Sequence, residues 1–80
     1  MTKFEDDIIA LLPNFKPEAV TAASITHTLY GKAHSPQCHS AVERTLHSLW
    51  TLYSRTGAGP RVLAYLPVGG QDVLWWEEPA

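Results

Sequence analysis

Eighty residues with ordinary apolar and charged fractions make one small globular domain, 1–80, and argue against disorder. A single core of this size supplies only roughly 3–5 kcal/mol, so a partner or a second copy is a common source of added stability. No apolar run approaches the ~18 residues of a membrane span. The start, Thr2-Lys3-Phe4-Glu5-Asp6-Asp7, lacks the basic-then-apolar order of a secretory signal. One cysteine rules out an internal disulfide, and a reducing, cytoplasmic setting is expected. The net charge of −2 does not advertise a nucleic-acid binder, but the charges are unevenly spread. From Ala19 to Gln71 the chain carries Lys32, Arg44, Arg55 and Arg61 against Glu43 alone, with all four histidines. Most other acids lie near the ends.

In chain order, Thr2 and Glu5 fit a capping box, with Phe4, Ile8, Leu11 and Leu12 forming one apolar stripe. A first helix over about 3–12 follows, ended by Pro13-Asn14. Residues from Phe15 to Val20 are ambiguous, with an extended stretch near Val20 preferred. Thr21 then opens a second helix, about 21–30, with Ala22, Ile25 and Leu29 inward, and Gly31 suits the position just past its end. Ser35-Pro36 is a capped restart, because a proline at the first helical position gives up an N–H that has no intrahelical partner there.

The third helix, about 36–54, is the clearest element. At about 100° per residue, Cys38, Val42, Thr45, Leu46, Leu49 and Tyr53 share one side. Gln37, Ser40, Arg44, His47, Ser48 and Thr51 share the other. Gln37 to Tyr53 spans about 25 Å, long enough to lie across a groove. Thr56 to Pro60 turns the chain. Two runs rich in β-formers then flank Pro67-Val68-Gly69-Gly70-Gln71, which predicts a hairpin over about 61–77. Its strands are apolar on both faces: Leu63/Tyr65 against Val62/Ala64/Leu66, and Val73/Trp75 against Leu74/Trp76. One face covers the helices, and the other is left as a patch or an interface.

This order, an α+β chain of three helices followed by a two-stranded β-hairpin, resembles the winged helix-turn-helix family. The resemblance covers nearly the whole chain and rests on element order and punctuation. It implies that the helix starting at Ser35-Pro36 is the recognition helix, that the second helix braces it, and that the hairpin is the wing. Such proteins place the first half of the recognition helix in the major groove. On this chain that selects Gln37, His39, Ser40, Arg44 and His47 for base edges. Gln can pair with adenine, Arg with guanine, and Ser with several edges. Lys32, His34 and Ser35 would sit near phosphates. His39 also borders the apolar side near Leu46 and Trp50, where packing competes with base contact. The function implied is a sequence-specific transcriptional regulator that binds duplex DNA as a homodimer. Tyr65, Trp75 and Trp76 are the candidate interface, one tryptophan packing in the core and the other meeting a partner.

The rival is a winged-helix protein-interaction module, an adaptor or inhibitor. It is motivated by the net negative charge, the two-faced apolar hairpin and the uncharged tip Val68-Gly69-Gly70-Gln71. Zinc is a minor reading: His34-x-x-x-Cys38-His39, with His27 or His47, matches no finger spacing. A small buried cysteine is the commoner use of Cys38. An enzyme is not expected, because Cys38 and His39, as helical neighbours, cannot form a facing nucleophile–base pair. There is also no phosphate-binding glycine loop, and no cofactor is implied.

Overall fold

The computed structural model describes residues 2–33 and 35–79. Helix α1 spans Lys3–Leu11 and starts on the capping box read from the sequence. The Glu5 N–H donates to the Thr2 hydroxyl at 3.2 Å, while the Glu5 carboxylate accepts from the Thr2 N–H at 2.9 Å. Those bonds hold the exposed Glu5 carboxyl below its usual range, the backbone N–H contributing most. Leu12 leaves the helix in an extended conformation but still packs inward. A short 3₁₀ turn, Lys16–Glu18, carries the chain to strand β1, Val20–Thr21.

Thr21 has two tasks. It ends β1, and its hydroxyl accepts from the Ser24 N–H at 3.1 Å to cap helix α2, Ala22–Tyr30. Ala22 and Ile25 are buried as expected. Thr26 is buried as well, which its polarity concealed; its hydroxyl donates to the Ala22 carbonyl at 2.8 Å, so no polar group is stranded. Gly31, with φ +59°, takes a backbone conformation that a side chain would oppose, and a 3₁₀ turn over Gly31–Ala33 follows.

Helix α3 spans Pro36–Thr56, two residues longer than expected, because Gly57, at φ +69°, is the first residue to adopt the left-handed stop. The Gly57 N–H closes the end on the Tyr53 carbonyl at 2.8 Å. At the start, the Ser35 hydroxyl accepts from the Cys38 N–H at 3.3 Å. Ser35→Ala is therefore expected to cost about 1 kcal/mol and lower the melting temperature by roughly 4–8 °C, measured by circular dichroism.

Strands β2, Val62–Tyr65, and β3, Leu74–Glu77, pair antiparallel with Ala64 opposite Trp75 and Leu63 opposite Trp76. A turn in the loop between them closes with Gly70 N–H on the Pro67 carbonyl at 2.9 Å. The expected two-stranded hairpin is corrected here. It belongs to a three-stranded antiparallel sheet of order β1-β3-β2, with Val20 opposite Trp75 and Thr21 opposite Leu74. The physical reason is that a bare two-stranded hairpin is marginal in water, and β1 supplies a partner for the free edge of β3. Two residues are too few to show a strand period.

The helices pack on one face of this sheet. Ile8, Leu12, Ala22, Ile25, Val42, Leu46, Leu49, Val62 and Trp75 form one buried cluster drawn from all three helices and two strands. Strand alternation turns Val62, Ala64 and Trp75 inward and Leu63, Tyr65, Leu74 and Trp76 outward. The molecule measures 34 × 34 × 18 Å, a slab of helices on one face of a sheet whose outer face carries Lys16 of the 3₁₀ turn over Tyr65 and Trp76.

Candidate nucleic-acid interface

The cap at Ser35 and the buried row Val42, Leu46 and Leu49 fix both the start and the rotation of α3. The opposite arc is thereby turned to solvent. Gln37, Ser40, Arg44, His47 and Ser48 are all exposed on it, and no carboxylate interrupts them. Lys32 is exposed in the turn before the helix, and Ser35 is half-buried at its start. Of the residues expected to contact DNA, these six (Lys32, Ser35, Gln37, Ser40, Arg44 and His47) thus lie along one helix and its approach. His34 lies outside the described residues.

His39 is set apart. It is half-buried on the flank of α3, with Nδ1 3.1 Å from Glu43 Oε1 one turn on. His39, Glu43 and His47 follow at intervals of four and line one wall of a cleft of about 230 Å³. The start of α2 supplies a second wall through Thr21, Ala22 and Ala23, and the end of the hairpin loop supplies a third through Gln71 and Asp72. Trp75 closes the floor, its ring edge-on to the His47 imidazole at 5.1 Å. The ring of Trp50 stands 6.5 Å from the same imidazole, also edge-on. Asp72, remote in sequence from α3, is thus folded back against it. The spacing of 39, 43 and 47 was visible in the sequence, but the contribution of Asp72 was not, since it depends on the sheet.

Arg44 faces the other way around the arc. It borders a shallow depression shared with Thr2, Phe4, Glu5 and Ser48, beside the start of α1. His47 and Arg44, three residues apart on the same helix face, thus border two different depressions.

Cys38 is half-buried rather than buried, because it sits in the first turn of α3 beside its cap. The Ser35 hydroxyl lies 3.4 Å from Cys38 Sγ, and this contact, followed by the Ser35 backbone, holds the thiol below its ordinary range. Among the described residues, no group of three His, Cys, Asp or Glu side chains is placed to hold a metal ion. Consecutive Cys38 and His39 diverge on the helix.

The candidate interface on the hairpin needs a correction. Trp75 is 2 % exposed and belongs to the core, because its place opposite Ala64 and Val20 points it at the helices. Tyr65 and Trp76 do face outward, packed edge to face at 5.6 Å. The Lys16 ammonium lies over both rings, 4.7 Å from Tyr65 and 5.7 Å from Trp76. Leu63 and Leu74 flank them, half-buried. At the loop between the strands, Val68 stands fully in solvent and no cation accompanies it.

No helix among the described residues is long and apolar enough to cross a membrane. Compared with protein-family models, curated proteins and solved structures, the chain matches none.

Proposed function

We propose that the chain is a winged helix-turn-helix protein that binds duplex DNA as a homodimer and regulates transcription. The observation that carries this is the outward arc of α3: a capped, 21-residue helix presenting Gln37, Ser40, Arg44 and His47 with no carboxylate among them. Gln37, Ser40 and Arg44 suit base edges in a major groove, with Arg44 for guanine and Gln37 for adenine, while His47 borders the cleft beside them. Ser35 and Lys32, at the start of α3 and in the turn before it, suit phosphates. The order helix, short strand, helix, helix, hairpin, with sheet order β1-β3-β2, is compatible with the winged layout. Tyr65 and Trp76, on the outer face of the sheet, suit contact with a second copy.

The cations are few, so affinity per protomer is modest and pairing of protomers matters. The expected result is that a labelled mixed-sequence duplex binds at about 50 mM salt and weakens steeply by about 200 mM. Trp76→Glu is expected to shift the protein from dimer to monomer in sedimentation and to weaken duplex binding with it. A persistent dimer in that variant would place the contact elsewhere.

A second reading, a protein-interaction module, draws on the cation-free hairpin tip and on the two carboxylates, Glu43 and Asp72, at the cleft. It calls for no duplex binding at any salt and loss of a protein partner in Trp76→Glu.

A further inference from the structure

Building on the DNA-binding reading, we propose that duplex binding is proton-linked: His39 and His47 take up protons as a DNA backbone enters the cleft between α3 and the hairpin. The geometry that carries this is the assembly of two imidazoles and two carboxylates around one opening. From α3 come His39, Glu43 and His47; from the hairpin loop come Asp72 and the neutral Gln71. The start of α2 contributes only uncharged groups, Thr21, Ala22 and Ala23. On its other side His47 shares a surface depression with Ser48, Thr51 and Arg55.

With both imidazoles neutral, the charged groups around the cleft opening are Glu43 and Asp72, which repel a phosphate. Protonation of His39 and His47 balances those two charges, and an imidazolium donates from both ring nitrogens. His39 suits this because Nδ1 already faces Glu43 at 3.1 Å, which leaves Nε2 as a second donor. His47 has Arg55 on one side and Asp72 across the cleft, so an arriving phosphate tips its balance toward the charged form. The edges of Trp50 and Trp75 hold that ring in place. The free energy of proton uptake is linked to that of binding, and affinity rises as pH falls through the histidine range.

The test is the affinity of the full chain for a mixed-sequence duplex carrying a pH-insensitive dye, at fixed ionic strength, from about pH 6 to pH 8. The expected result is binding about tenfold tighter near pH 6 than near pH 7.5, since two imidazoles each contribute a slope of up to one log unit per pH unit. The pair His39→Gln and His47→Gln should reduce that ratio to less than about twofold, and His27→Gln should keep it. Calorimetry of the unaltered protein in two buffers of different ionisation enthalpy counts the protons directly, whatever the variants do to folding. Tight binding that is flat in pH overturns the linkage and leaves the DNA-binding reading standing, as does a calorimetric count of zero protons. A slope lost in His27→Gln assigns the protons elsewhere and also overturns it. Absence of binding at every pH and at low salt overturns both.

Discussion

Trp75→Ala is expected to remove about 3–5 kcal/mol of stability and to leave the domain largely unfolded. Trp75 is 2 % exposed and lies in the central strand, opposite Val20 on one side and Ala64 on the other. It joins the sheet to the helices, and its removal opens a cavity that three elements border. A domain of this size holds only roughly 3–5 kcal/mol in its core, so the loss is comparable to the total. Trp75→Phe keeps most of the packing and should cost far less, on the order of 1–2 kcal/mol. Its neighbour gives the contrast: Trp76 is half-buried on the outer face, and Trp76→Ala should cost far less, about 0.5–1.5 kcal/mol for the lost pairing with Tyr65. A Trp75→Ala midpoint close to that of the unaltered protein would contradict the assignment of the two faces.

Arg44→Ala should weaken binding to a specific duplex by about 1–3 kcal/mol, or roughly 5- to 150-fold. Arg44 is the sole Lys or Arg exposed on the first half of α3, and a planar guanidinium can meet both acceptors on a guanine edge. Arg44→Lys should keep part of the affinity and lose discrimination at one base position, because an ammonium cannot make the paired contact. The competing role is structural. Arg44 borders a depression that also holds Glu5, and a surface contact of that kind changes stability by no more than about 0.5 kcal/mol. A variant with normal duplex affinity and that small stability change would leave Arg44 as surface only.

Much of the fold was legible because its punctuation is local. Thr2 with Glu5, Thr21, Ser35-Pro36 and Gly57 each act on hydrogen bonds within one turn, so residue types alone located the helix ends to within about two residues. The outward arc of α3 was legible for the same reason, through its 3.6-residue period. What escaped depends on contacts remote in sequence. The extended stretch near Val20 was read, but its pairing with β3, which makes it strand β1, was not. Trp75 and Trp76 are equivalent in a strand that is apolar on both faces, and only the sheet register separates them. The hairpin likewise brings Asp72 to His39 and His47, so the cleft could not be read from spacing.

The most direct test of the central claim is selection from a random-sequence duplex library with the purified protein at moderate salt, followed by sequencing of what is retained. The account predicts enrichment of one palindromic motif, with half-sites spaced for two copies of α3 and enrichment lost in Arg44→Ala. A folded protein that retains no duplex at any salt would contradict it and move attention to the outer face of the sheet around Tyr65 and Trp76.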